Sequence, residues 1–188
     1  MNKITLISLI ACALAAPSVM AEPSGPVGGV IKFDGLVVAN SCIIDNGDED
    51  KTIKLAHVIN TEINSDDAVK VKDFSIKVKN CYVANNAAPE LYWSYAGRVD
   101  SKGYMLHRDE NSGSNAALVL MNSSGGKIDM RKSGEGFTPG EINRGNYSHG
   151  EKLTYNFKVG YIKSSDLSND LVTPGPILTQ ANYTVQYK

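Results

Sequence analysis

Leu153-Thr154-Tyr155-Asn156-Phe157-Lys158-Val159-Gly160-Tyr161 alternates apolar and polar residues with a period of two. Successive side chains of a strand point to opposite faces, so this stretch reads as a half-buried β-strand. Asp73-Phe74-Ser75-Ile76-Lys77-Val78-Lys79 repeats the pattern, and so does Tyr183-Thr184-Val185-Gln186-Tyr187. Shorter candidates lie at residues 52–55, 91–95 and 118–121. Asn122-Ser123-Ser124-Gly125-Gly126, Pro139-Gly140 and Thr173-Pro174-Gly175-Pro176 separate the candidates as turns. Long helical periodicity is absent, and residues 60–69 are left as a short helix or a loop. Short antiparallel strands divided by such turns predict an all-β sandwich. No internal repeat, low-complexity tract or linker divides residues 39–188, which are expected to form one domain.

The first residues predict a different fate. Lys3 precedes an apolar run from Ile4 to Ala16, and Val19-Met20-Ala21 offers a cleavage point after Ala21. Charge, apolar core and small-residue exit in that order form a secretory signal peptide over residues 1–21. The run is shorter than the roughly 20 residues of a membrane span. Export places the remaining chain in an oxidising setting. Cys12 leaves with the signal peptide, and Cys42 and Cys81 remain as an even pair. That pair reads as a disulfide; two buried thiols or half a metal site are the other readings. Neither cysteine has a Cys or His at short spacing, which weakens the metal reading.

The net charge of −1 excludes a nucleic-acid footprint. Asp48-Glu49-Asp50, beside Asn46-Gly47, reads as a solvated turn, with a calcium site a distant second. His57, His107 and His149 show no metal-pair spacing and sit in no nucleophile motif. There is no phosphate loop or dinucleotide fingerprint, and nothing calls for a cofactor. The expectation is a protein that is not an enzyme. A pocket joining a histidine to a serine or carboxylate would count against that. Tyr92, Trp93 and Tyr95 could form a sugar platform. Their alternation puts Trp93 and Tyr95 on one face, which suits a core better. Three Asn-x-Ser/Thr sequons, at Asn122, Asn146 and Asn182, read as chance occurrences.

Residues 22–38 are the informative remainder. Pro23, Gly25, Pro26, Gly28 and Gly29 resist regular structure. Beyond them Ile31, Phe33, Gly35 and Val37 share one face. A glycine inside a strand weakens it and often marks the close approach of another surface. Periodicity alone favours a plainer reading, a first strand with a bulge at Gly35.

From Gly28 to Cys42 the chain resembles the mature start of type 1 and P-type major pilins. That family has a Gly-rich opening, an aromatic-x-Gly-x-Val alternation and a cysteine a few residues on. The run from Phe74 to Cys81 resembles the strand before the family's second cysteine. Gly175, fourteenth from the end, with Tyr183-x-Val185-x-Tyr187, resembles the C-terminal motif of subunits that bind periplasmic pilus chaperones. The resemblance implies an incomplete immunoglobulin-like sandwich that lacks its last strand and is completed by a donor strand from another subunit. It implies that residues 22–38 are the donor extension, with Ile31, Phe33, Gly35 and Val37 as its inserted face. Tyr183, Val185 and Tyr187 would border the acceptor groove, and Cys42 with Cys81 would staple the sandwich. The implied partners are other pilin subunits, a periplasmic chaperone and an outer-membrane usher, and the implied destination is a cell-surface fimbria supporting adhesion. A tip adhesin is a weaker fit, since such chains carry a receptor-binding domain and lack a donor extension.

Overall fold

The computed structural model describes residues 29–32, 42–83, 88–140, 148–167 and 171–187. The chain forms two units, residues 1–36 and Val37–Lys188. In the first, residues 29–32 have no regular structure, and Val30 and Ile31 are exposed.

The second unit is built almost wholly from strands. These are β1 (Ile43–Ile44), β2 (Val69–Val83), β3 (Glu90–Ser94), β4 (Met105–Leu106), β5 (Ala117–Asn122), β6 (Gly136–Phe137), β7 (Ser148–Ile162) and β8 (Asn182–Gln186). A single 3-10 turn, Asn60–Glu62, occupies the region left open between helix and loop. One sheet runs β1-β2-β7-β5-β4 and the other β6-β3-β8, with every pairing antiparallel.

The alternation of β7 does what its sequence predicts: Leu153, Tyr155, Phe157 and Val159 are buried on one face. They meet Ile76 and Val78 of β2, Leu91 of β3, and Leu118 and Leu120 of β5 in the main core. Leu91 and the half-buried Trp93, Phe137, Tyr183 and Val185 come from the smaller sheet, so the core lies between the two sheets. β5 does not alternate because both its faces are covered. Ala117, Val119 and Met121 enter a second cluster with Tyr104 and Ile162.

β2 is longer than its sequence pattern because two residues reset its phase. Lys70 and Asn80 have φ of +50° and +57°. Both lie within breaks of the β2–β7 register. Buried positions in β2 fall at Ile76 and Val78 before Asn80, and at Cys81 and Val83 after it. An extra residue in one strand shifts the side-chain phase in this way. Residues 52–55 differ from expectation. They form no strand, although Ile53 and Leu55 still turn toward the core.

Cys42 and Cys81 are joined by a disulfide with their Cα atoms 4.4 Å apart. The bond ties the start of β1 to β2, its only neighbour in the sheet. It closes a loop of sequence separation 39. Loop-closure entropy puts its worth at about 4 kcal/mol. The double variant Cys42→Ala/Cys81→Ala should therefore lower the free energy of unfolding, read from a urea titration, by about that amount, with a steeper slope as the unfolded chain expands. An unchanged free energy of unfolding would show that β1 is held by packing alone.

Candidate functional site

Among the described residues β1 and β8 are edge strands of different sheets, and each pairs on one side only. Between the chain segments that continue them lies a cavity of about 490 Å³. One lip is the segment from Asp48 to Leu55, which follows β1. The other is the segment from Ile177 to Tyr183, which runs into β8. Phe74, Ile76, Trp93, Leu118 and Val159 supply the apolar floor.

The C-terminal lip has a regular pattern. Ile177, Thr179, Ala181, Tyr183, Val185 and Tyr187 are half-buried, while the residues between them are exposed. None of these six reaches full burial, as expected of an inward row covered from one side only. Leu178 receives the Arg108 N–H on its carbonyl at 3.0 Å and gives its own N–H to His107 Nδ1 at 3.0 Å. The Ser114 N–H is donated to the Pro176 carbonyl at 3.0 Å. Backbone polar groups of extended chain alternate in direction. With Pro176 and Leu178 turned to the 107–114 loop, Ile177 and Thr179 turn theirs to the cavity.

Two tyrosines brace the open side. Tyr183 donates its hydroxyl to the Asp48 carbonyl at 2.7 Å, linking the two lips. Burial, with the charges of Asp48 and Glu49 adding to it, raises the Tyr183 pKa and keeps that proton in place. Tyr187 accepts the Tyr82 N–H at 2.9 Å and lies 3.6 Å from the Cys42 sulfur. Of the sequence motif, Tyr183 lines the cavity, whereas Val185 packs on the core below it and Tyr187 touches the disulfide. Gly175 stands outside the cavity lining. Its φ is +154°, and a Cβ there would come 2.6 Å from the Gly113 carbonyl carbon. The glycine is thus needed for close backbone approach. Ile31 is exposed coil in the first unit, and Phe33, Gly35 and Val37 lie outside the described residues.

Two readings of polar groups need revision. Asp48 is not a solvated turn residue: it is 6% exposed. One carboxylate oxygen accepts the Lys77 N–H at 2.7 Å and the other pairs with Lys51. These bonds pull the turn inward and anchor one lip to β2. His107, passed over in the sequence, is buried beside Ser112 and bonded to the C-terminal lip. Its contact with a serine is the arrangement that would have raised an enzymatic reading. Yet Ser112 donates to Asp109 at 2.9 Å, Nδ1 is taken by Leu178, and none of the three lines the cavity. Among the described residues no group of three or more His, Cys, Asp or Glu could hold a metal ion.

Trp93 packs edge-on against Phe157 at 5.1 Å and Tyr183 at 5.9 Å. Tyr95 also packs on the core, so the sugar platform is not formed. The Trp93 indole N–H is buried without an acceptor. An unpaired buried donor of this kind costs about 1–3 kcal/mol.

These features place an open apolar slot, between two one-sided edges, in a disulfide-tied sandwich. The family model described as Fimbrial protein matches residues 31–188. The chain belongs to the fimbrial protein family. It is 24% identical to the uncharacterized fimbrial-like protein YgiL of Escherichia coli (strain K12), over 85% of each chain. It is 22% identical to the type-1 fimbrial protein, A chain, of the same strain, over 100% of this chain and 98% of the relative. Among solved structures it shares its fold with the P pilus rod subunit PapA, with a TM-score of 0.57. That likeness holds at 19% identity over 78% of this chain and 99% of PapA. Family and fold together support a structural role in the pilus.

Trp93 is the sole tryptophan of this fimbrial subunit. Anything that fills the slot covers the floor in which it sits. Its fluorescence emission should shift to the blue when a peptide of residues 22–38 binds. Binding without a spectral change would remove Trp93 from the occupied site.

Proposed function

We propose that this subunit polymerises by donor-strand exchange, with the cavity as its acceptor groove. The supporting observation is the slot itself: an apolar floor between two segments whose facing edges have no ladder partner among the described residues. Such an edge is a template for another strand, and strand addition is an established mode of peptide recognition. Length agrees as well. The lip from Ile177 to Tyr183 spans about 20 Å of extended chain. Ile31 to Val37 covers the same number of residues. Four inward lip positions, Ile177, Thr179, Ala181 and Tyr183, are matched by the four donor-face positions Ile31, Phe33, Gly35 and Val37.

In this reading residues 1–21 direct export and are removed. Residues 39–188 form the acceptor domain, completed in the periplasm by a strand of the chaperone. At the outer-membrane usher, the extension of the next subunit replaces that strand, and the fibre emerges at the cell surface to support adhesion. Tyr183, Val185 and Tyr187 present the C-terminal edge to the chaperone first and the donor afterwards. Gly35 is the donor position where the groove is shallow.

Gly35→Leu should leave a soluble chaperone-bound subunit and abolish fibre growth. Normal fibres seen by electron microscopy would refute the donor assignment. Deleting residues 22–36 should yield a subunit that accepts a neighbour's strand and cannot donate one. Recovery of that variant within the length of a fibre, joined at both ends, would overturn the mechanism.

A further inference from the structure

The geometry points to His107 as a positioning residue that seats the C-terminal lip of the groove through the acceptor on its ring. This rests on reading the cavity as an acceptor groove, and it assigns a role to a residue that does not line it.

Hydrogen bonds around the imidazole leave one consistent proton arrangement. Leu178 donates its backbone N–H to Nδ1 at 3.0 Å, so Nδ1 carries no proton. The proton is then on Nε2, which faces the Ser112 hydroxyl at 3.3 Å. Ser112 in turn donates to Asp109 at 2.9 Å. Each donor therefore has an acceptor while the ring is neutral. Protonation would put a second donor on Nδ1, directly opposite the Leu178 N–H.

The chain is shaped to permit this contact. His107 is 5% exposed. A Cβ on Gly113, whose φ is +81°, would fall 2.7 Å from the imidazole and 2.6 Å from the Pro176 carbonyl. A Cβ on Gly175 would meet the Gly113 backbone at the same distance, 2.6 Å. Two facing glycines thus let the 107–114 loop close on the lip until the ring reaches Leu178. The Arg108 N–H to the Leu178 carbonyl completes a ladder-like pair in which the imidazole replaces a backbone carbonyl. With the outer side held, the backbone polar groups of Ile177 and Thr179 are left for the groove, while the Thr179 hydroxyl bonds that of Tyr95 at 2.6 Å.

Charged groups surround the ring. Asp109 stands one hydroxyl away, beyond Ser112. Arg98 donates to the His107 carbonyl at 3.3 Å and pairs with Glu110 at 3.2 Å. Arg108 follows in the chain, and Tyr95 donates its hydroxyl to the Arg98 carbonyl at 3.2 Å. Residues 176–179 carry no ionisable side chain. Removal of the ring acceptor is therefore the perturbation that releases the lip.

The test is hydrogen–deuterium exchange on the exported chain as recovered from the periplasm, followed in the peptide containing Leu178. Rates are corrected for intrinsic exchange. His107→Leu should lose about three- to tenfold of the wild-type protection, the worth of one such hydrogen bond. His107→Asn keeps an acceptor near the Nδ1 position, so protection should be retained. Wild-type protection in His107→Leu would overturn the proposal. So would a folded His107→Asn that exchanges like His107→Leu. Capture of a synthetic peptide of residues 22–38 is measured in parallel. If no protein captures it while the exchange pattern holds, the lip is seated by His107 and the groove reading alone fails.

Discussion

The constraint on which the structure depends is an unpaired edge over an apolar floor. Among the described residues β1 and β8 each lack a partner on one side, and Phe74, Trp93 and Val159 lie beneath the gap. Ile31, Phe33 and Val37 entering that gap would contribute about 1.5–3 kcal/mol each by burial. Ordering the extended segment from Ile31 to Val37 costs about 1–2 kcal/mol per backbone residue, which equals or exceeds that gain. Inserted side chains alone therefore do not hold a strand in place. The remainder must come from the floor, whose own apolar surface leaves water, and from backbone groups on both lips that gain partners. An empty groove is correspondingly costly to a domain whose whole stability is of order 5–15 kcal/mol. That balance favours a subunit that is always accompanied, first by one strand and then by another.

The open side does not fall apart, because a few specific bonds hold it. Tyr183 reaches across to the Asp48 carbonyl, and Asp48 is itself anchored on the Lys77 N–H of β2. Tyr187 holds the Tyr82 backbone near the disulfide. Asp100 does similar work at another loop. Buried at 2% exposure, it accepts the N–H groups of Lys102, Tyr104 and Ser165. A buried carboxylate is tolerable when backbone donors surround it in this way. Braces from side chains keep the lips in place without filling the edges that a strand would use.

The sequence carried the sheet faces but not their interruptions. Period-two patterns located β7, β8 and the middle of β2, because each has one face on the core. Asn80 and Lys70 broke the pattern of β2 through backbone conformation, which leaves no trace in hydrophobicity. β5 read only as a short apolar run, since both its faces are covered. Residues 52–55 have the composition of a strand and the inward turns of one, yet no ladder, for they lie along the open edge. Asp48 looked solvated because nothing local announces that its carboxylate will meet Lys77, 29 residues away. His107 was illegible for the same reason: its partner, Leu178, is 71 residues distant.

Gly175 shows how a motif and its physical cause can lie apart. The C-terminal spacing drew attention to it as part of a surface for chaperones. In the structure its missing side chain makes room for the Gly113 backbone, behind the lip and outside the cavity lining. A side chain there would push the lip away from the 107–114 loop, and Leu178 would lose both of its backbone partners. In the proposed assembly a lip fastened only from behind has a clear advantage. Its groove-facing groups stay available, so one occupying strand can leave as the next arrives without the domain surrendering a bond of its own. A donor extension and a groove on one subunit form a head-to-tail contact that need not close into a ring. Growth of a fibre then requires only that each groove remain exchangeable until its final strand is in place.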